Sequence, residues 1–232
     1  MGTQLLCIFF ATQATAATAP SGFPFADEDL NYSINWPSGL SLGEAHMRAR
    51  HSGTANPPQW EFSFNVDASL PGFQVLDRYT STAAGDLCSV QFDRVFTHGS
   101  KKSNERTVVD TPAGTATRTT ASGGKTEIPI SGCIRDALTF LFYARRELGQ
   151  GRVPPAQTIL FGSAYQAHLE YTGAQTIPVN DVPTQADRVV CNFKGPASDL
   201  EIEIFFARDA ARTPLLVRAP FAIGNFSMEL LR

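Results

Sequence analysis

Apolar and polar residues alternate with a period of two along most of this chain. Phe62, Phe64, Val66, Ala68 and Leu70 alternate with Glu61, Ser63, Asn65, Asp67 and Ser69, the pattern of a strand with one face on a core and one in water. Val90, Phe92 and Phe96 share a face opposite Ser89, Gln91 and Asp93, with Arg94 intruding on the apolar side. Ile202, Ile204 and Phe206 alternate with Glu201 and Glu203, and Phe226, Met228 and Leu230 with Ser227 and Glu229. Trp36-Pro37-Ser38-Gly39, Asn56-Pro57-Pro58, His98-Gly99-Ser100 and Pro112-Ala113-Gly114 punctuate these runs as turns. Strands so closely spaced predict antiparallel meanders rather than βαβ units. One-sided alternation also disfavours a parallel sheet, whose strands read as continuous apolar runs.

One segment departs from this pattern. From Cys133 to Leu148 there is no Gly or Pro, and Ile134, Ala137, Leu138, Leu141, Phe142, Ala144 and Leu148 fall on one broad helical arc. Ser131 or Gly132 is expected to open this helix and Gly149 to close it. The predicted fold is therefore mainly β: a curled antiparallel sheet, or open half-barrel, packed around one amphipathic helix at about 133–148. Thr111 to Gly124, almost wholly Thr, Ala, Gly and Ser, reads as a thin hairpin or a mobile loop.

Arg145 sits in the middle of the helix's apolar arc. A buried charge without a partner costs several kcal/mol, so a carboxylate or a ring of carbonyls must meet it. Glu201, Glu203 and Asp209 are the candidates, with Asp209 favoured. Two readings follow: a buried ion pair that seats the helix, or an anion-binding guanidinium in a cleft beside it.

The N-terminus bears on compartment. Leu5 to Ala11 is a short apolar run, well under the roughly 20 residues that span a bilayer. Ala14-Thr15-Ala16 and Ala17-Thr18-Ala19 follow it as small-x-small cleavage patterns. A signal peptide over residues 1–19, cut after Ala16 or Ala19, is the expectation, with one β-rich domain from 20 to 232 and a periplasmic or secreted location. Met1–Gln4 carry no Lys or Arg, unlike the usual basic n-region; a start codon assigned too far downstream accounts for that. The net charge of −3, from 19 basic and 22 acidic residues, leaves no basic stripe for nucleic acid. No later stretch is apolar enough for a membrane span.

Recognisable catalytic chemistry is absent from the sequence. There is no G-x-S-x-G elbow, H-E-x-x-H or Walker motif, so no catalytic residue and no cofactor is expected. His46, His51, His98 and His168 are dispersed, and no metal site is expected. The 17 Phe residues are either ordinary packing or the lining of an open mouth that takes an acyl chain or apolar peptide. Of four cysteines, Cys7 lies in the leader, while Cys88, Cys133 and Cys191 remain. An oxidising compartment would bridge two and leave one over, and spacing alone does not say which.

Cys133 to Arg145 resembles the helix of an exported bacterial family, domain of unknown function 3108. Asp136-Ala137-Leu138-Thr139, followed by Tyr143 and Arg145, carries the likeness. Leu30–Trp36 with Gly39-Leu40 and Gly43-Glu44-Ala45 is similar to the family's first hairpin, and Phe206–Asp209 with Arg212–Leu215 to its last strands. The resemblance spans the mature chain. It implies an envelope-associated protein with a curled antiparallel sheet around one helix, and no assigned activity. It also favours a Cys88–Cys133 disulfide, with Cys191 a buried apolar side chain. It nominates Asp136, Tyr143, Arg145 and Asp209 as ligand-binding or framework positions. The expected function is binding of a lipid, acyl chain or partner envelope protein in a concave sheet face. The alternatives are an interaction protein with a filled interior and an enzyme of unrecognised type.

Overall fold

The computed structural model describes residues 27–52, 59–70, 72–196, 198–221 and 224–231. The expected signal peptide, Cys7, Phe23 and Phe25 lie outside these residues, as does the side chain of Phe221. In chain order the strands are β1 (Glu28–Asn35), β2 (Ser41–Ser52), β3 (Gln59–Leu70), β4 (Phe73–Ala84), β5 (Ser89–His98), β6 (Lys101–Asp110), β7 (Thr115–Thr120), β8 (Lys125–Pro129) and β9 (Arg135–Asp136). The helix α1 (Ala137–Gly149) follows, then β10 (Gln157–Leu160), β11 (Ala164–Val179), β12 (Val182–Lys194), β13 (Asp199–Ala207), β14 (Pro214–Phe221) and β15 (Gly224–Leu230).

All fifteen strands belong to one sheet, ordered β8 back to β1, then β15 back to β9. Two meanders are thus joined where β1 pairs with β15, Tyr32 opposite Leu230. Each neighbouring pair is antiparallel except β9 with β10, which α1 connects as a short parallel crossover. The expected mainly β, antiparallel architecture with one helix is what the described residues adopt.

Connectivity explains the curl. β8 and β9 are opposite ends of the sheet order, yet only residues 130–134 separate them, so the sheet must bend until its ends meet. The ends overlap without forming a ladder. Ser89 N donates to the Ile134 carbonyl at 2.9 Å, Ala116, Ile134 and Leu160 form a small buried cluster, and Cys88 is bonded to Cys133 with Cα atoms 5.1 Å apart. The Thr111–Gly124 stretch is accordingly a hairpin arm, with Ala116 buried in that overlap.

The helix begins later than its periodicity suggested. Asp136 is the N-cap, its Oδ1 accepting from Leu138 N and Thr139 N at 2.9 Å each. Cys133 to Arg135 cannot join the helix because the disulfide and the β9–β10 pairing hold that segment extended. At the other end Gln150 caps α1 and Gly151 takes the left-handed turn at φ 74°.

Two apolar clusters hold the helix against the sheet. Phe142 stacks on Phe62 with centroids 4.0 Å apart, within a cluster that includes Met47, Trp60, Phe92 and Leu138. Phe140, Ala144 and Leu148 pack instead towards Leu169, Val189, Cys191, Ile204 and Phe206. Gly43 allows β2 to pass close over β3, since a Cβ there would lie 2.0 Å from the Asp67 carbonyl oxygen. Beyond a register shift at Tyr171/Gly173 in β11, Ile177 and Val179 pack on Phe205, Leu215 and Leu216. Phe205 has the opposite parity to Ile204 and Phe206, so this arm folds over the outer face.

Candidate ligand-binding site

The helix does not fill the interior. A chamber of about 340 Å³ opens between α1 and the concave face of the sheet. Ala137, Leu141 and Ala144 present its helix side, and Phe64, Tyr79, Leu169, Ile204, Val217 and Met228 are among the sheet residues facing it. Small side chains at two of those helix positions leave the space. The volume lies in the range of small-ligand pockets. Its lining is hydrocarbon and aromatic, and among the described residues the polar side-chain groups on it are those of Tyr79, Tyr165, Ser198 and the Cys191 thiol.

Two of these groups are held in their neutral form. Burial raises the Tyr79 phenol well above its ordinary value, with Asp77 adding to the effect and Arg94 opposing it. Burial alone pushes the Cys191 thiol up to about 12, so it is a free, protonated side chain in the chamber wall. Among the described residues no charged side chain lines the chamber.

At the Tyr79–Phe161 end the concave face changes character. Along β5, Arg94 alternates on the same face as Phe92 and Phe96, and its guanidinium lies 4.8 Å from the Phe161 ring centroid. Register places Glu105 opposite Arg94, and Arg118 opposite Thr107, itself opposite Phe92. Arg94 Nη2 donates to Glu105 Oε1 at 3.1 Å, and Arg118 Nη1 is 3.8 Å from Glu105 Oε2. Burial pushes the Glu105 carboxyl up, but the Ser103 hydroxyl and the two guanidiniums outweigh it and hold the group below the usual carboxylate range. Beyond them Asp77 contacts His98 Nε2 at 2.8 Å.

The residues nominated by resemblance are placed elsewhere. Arg145 is fully buried, and its partner is Glu28 rather than Asp209. Nη1 and Nη2 donate to the two Glu28 oxygens at 2.7 Å each, and Nε is 3.1 Å from the Ala211 carbonyl and 3.2 Å from that of Arg212. Asp209 is committed to its own loop, accepting from Thr213 N at 3.1 Å and Thr213 Oγ1 at 2.8 Å. Glu203 is paired with Arg188 and Arg218. Asp136, besides capping the helix, accepts from Ser81 Oγ and Ser89 Oγ at 2.5 Å and Thr139 Oγ1 at 2.9 Å. Burial raises its pKa against the pull of these bonds. Tyr143 lies between the guanidiniums of Arg135 and Arg146, whose carbons are 3.7 and 5.2 Å from its ring centroid. None of the four lines the chamber, and the structure does not gather them into one site.

The Cys88–Cys133 pairing that the resemblance implied is formed. Asp86 stands beside it as a third potential metal donor, but sulfurs bonded to each other offer no thiolate. Among the described residues no helix is long and apolar enough to cross a membrane.

A curled, unclosed sheet holding one helix and an apolar chamber defines a β-barrel-like protein with an accessible interior. The chain belongs to the family described as Protein of unknown function (DUF3108), which matches residues 31–231. In fold it is similar to a β-barrel-like protein of domain of unknown function DUF1849 from Brucella abortus, with a TM-score of 0.61 and 9% sequence identity. That likeness covers 89% of this chain and 96% of the other. Among curated proteins none matches the sequence.

Proposed function

We propose that this chain is an exported, non-enzymatic binding protein whose chamber takes an apolar ligand, with an acyl chain as the fitting chemistry. The observation that carries the reading is the lining. A concave space of about 340 Å³ walled by aliphatic and aromatic side chains disfavours a charged group within it, since burying an unpaired charge is costly. The hydroxyls and carboxylate at the helix N-terminus are occupied with one another, and the chamber thiol is held protonated. A binding role needs neither to be reactive. The leader-like N-terminus and the Cys88–Cys133 disulfide fit an oxidising compartment.

Native mass spectrometry of protein isolated from its own periplasm tests this directly. The expected result is a co-purifying lipid or acyl species, lost from Val217→Trp, which narrows the chamber from its half-buried β14 wall. A protein that returns from the cytoplasm, or one that carries and accepts no acyl ligand, overturns the reading.

A further inference from the structure

The chamber accounts for a hydrocarbon chain but not for the charged cluster at its Tyr79–Phe161 end. We propose that the ligand is an amphiphile with an anionic head, and that Arg94 and Arg118 receive the head while the chamber takes the chain. This deepens the acyl-binding reading and rests on it.

Three observations point the same way. First, the cluster adjoins the chamber: Phe161 lines it and carries the Arg94 guanidinium on its ring face. Arg118 Nη1 donates to the carbonyl of the next residue, Gly162. A chain lying against Phe161 would therefore bring a terminal group to both guanidiniums.

Second, the charges do not cancel. Glu105 is the carboxylate shared by Arg94 and Arg118, and Asp77, in contact with His98, is the second anion, set against three cations once Lys101 is counted. Lys101, opposite His98 in the register, adds another cation on this face, its Nζ 5.8 Å from the Phe96 ring centroid. The local excess is positive, although the whole chain is net negative.

Third, the guanidiniums have donors to spare. Arginine offers five N–H groups. Among the described residues, the buried Arg94 Nε and Arg118 Nε make no hydrogen bond, a state shared elsewhere by Arg135 Nε and Arg212 Nε, and Glu105 Oε2 in this cluster accepts none. Arg145 provides the contrast within the same molecule. Its Nε and both Nη atoms are met by a bidentate carboxylate and two carbonyls. The Arg94 and Arg118 side chains also retain 17% and 26% exposure, so an incoming head can reach them. A phosphate or carboxylate on a chain supplies the acceptors that are missing, with the planar fork suited to it.

Isothermal titration of the full mature chain with decyl phosphate, 1-decanol and decyltrimethylammonium, each below its critical micelle concentration, tests the assignment. The phosphate should bind about tenfold or more tighter than the alcohol, as charge-assisted pairing predicts, and the ammonium more weakly than the alcohol. Arg94→Met with Arg118→Met should erase the phosphate preference while alcohol binding stays within about twofold, since the chain's apolar contacts are untouched. Thermal denaturation checks that the variant is folded. If it is not, Arg118→Gln, at the more exposed of the two positions, carries the comparison, with a partial loss of preference expected.

Equal affinity for phosphate and alcohol, or a preference that survives the substitutions, overturns the head site and leaves the acyl chamber standing. Inorganic phosphate binding as tightly as decyl phosphate marks an ion site independent of the chamber and overturns the amphiphile. If none of the three decyl compounds binds, the acyl-binding reading fails and this inference with it.

Discussion

Removing Glu28 should unseat the helix. Its carboxylate meets Arg145 through two 2.7 Å bonds, the arginine side chain is 0% exposed and that of Glu28 12%. Breaking such a pair from one side leaves an uncompensated buried charge, at a cost of about 3–5 kcal/mol. The Ala211 and Arg212 carbonyls remain on Nε and cannot neutralise it, so Glu28→Ala belongs in that range. For a domain of this size the loss corresponds to a fall in Tm on the order of 10 °C. Replacing both residues, as Glu28→Leu with Arg145→Met, removes the stranded charge, and such exchanges of a buried pair for apolar side chains are often neutral. Urea denaturation of wild type, both single variants and the double variant, read as a double-mutant cycle, gives the coupling. A loss below about 1 kcal/mol for Glu28→Ala, with no recovery in the double variant, would falsify the buried-pair account.

Three further outcomes follow from the contacts. Cys88→Ser with Cys133→Ser opens a loop spanning 45 residues in sequence, which chain entropy values at about 4 kcal/mol; non-reducing peptide mapping and denaturant midpoints check the bond and its effect. Glu105 titrates below the usual carboxylate range in the folded protein, so the unfolded chain binds more protons in the window between the two and stability falls as pH drops towards the folded pKa. Denaturation midpoints between pH 3 and 6 should show this acid limb in wild type and a shallower one in Glu105→Gln; identical limbs would remove Glu105 from the account. Asp136→Ala strips two backbone donors and three hydroxyls of their acceptor, a loss of about 2 kcal/mol or more for the cap and its orphaned partners together, and hydrogen exchange at Leu138 and Thr139 should accelerate.

The strands were legible because alternation with period two reports a one-sided sheet whatever its neighbours are. Phe62, Phe64, Ile204 and Phe206 all lie on the face their pattern assigned. The helix was legible in its body but not at its start. Ile134 continues the apolar arc, while the disulfide and the β9 pairing that hold it extended depend on residues far away in sequence. Arg145 stood out as a buried charge, yet its partner lies 117 residues away in an acidic stretch, where Glu28 has no local mark to separate it from Asp27 and Asp29. Arg94 was visible as a charge on an apolar face, although its significance was not. Glu105 and Arg118 reach it only through the register of two successive hairpins. The chamber itself is a product of curvature, and no residue-level period encodes how far a sheet bends.

The size of that chamber bears on why the fold keeps it. Were a sealed void of about 340 Å³ left by truncated core side chains, the penalty of roughly 24 cal/mol per Å³ would reach on the order of 8 kcal/mol. That rivals the whole stability of an ordinary domain, about 5–15 kcal/mol. Access to solvent reduces the penalty without removing it, because the walls remain hydrocarbon facing water. The remedy would be simple: Ala137 and Ala144 face the space from a helix that is already anchored elsewhere, by Phe142 on Phe62 and Arg145 on Glu28. Larger apolar residues at those two positions would narrow the chamber and keep the helix's other contacts. A chain shaped by stability alone would be expected to carry them. The helix is instead anchored by Phe142 and Arg145 and carries alanine at two of the positions that line the chamber, which is how a scaffold holds room for something that is not part of itself.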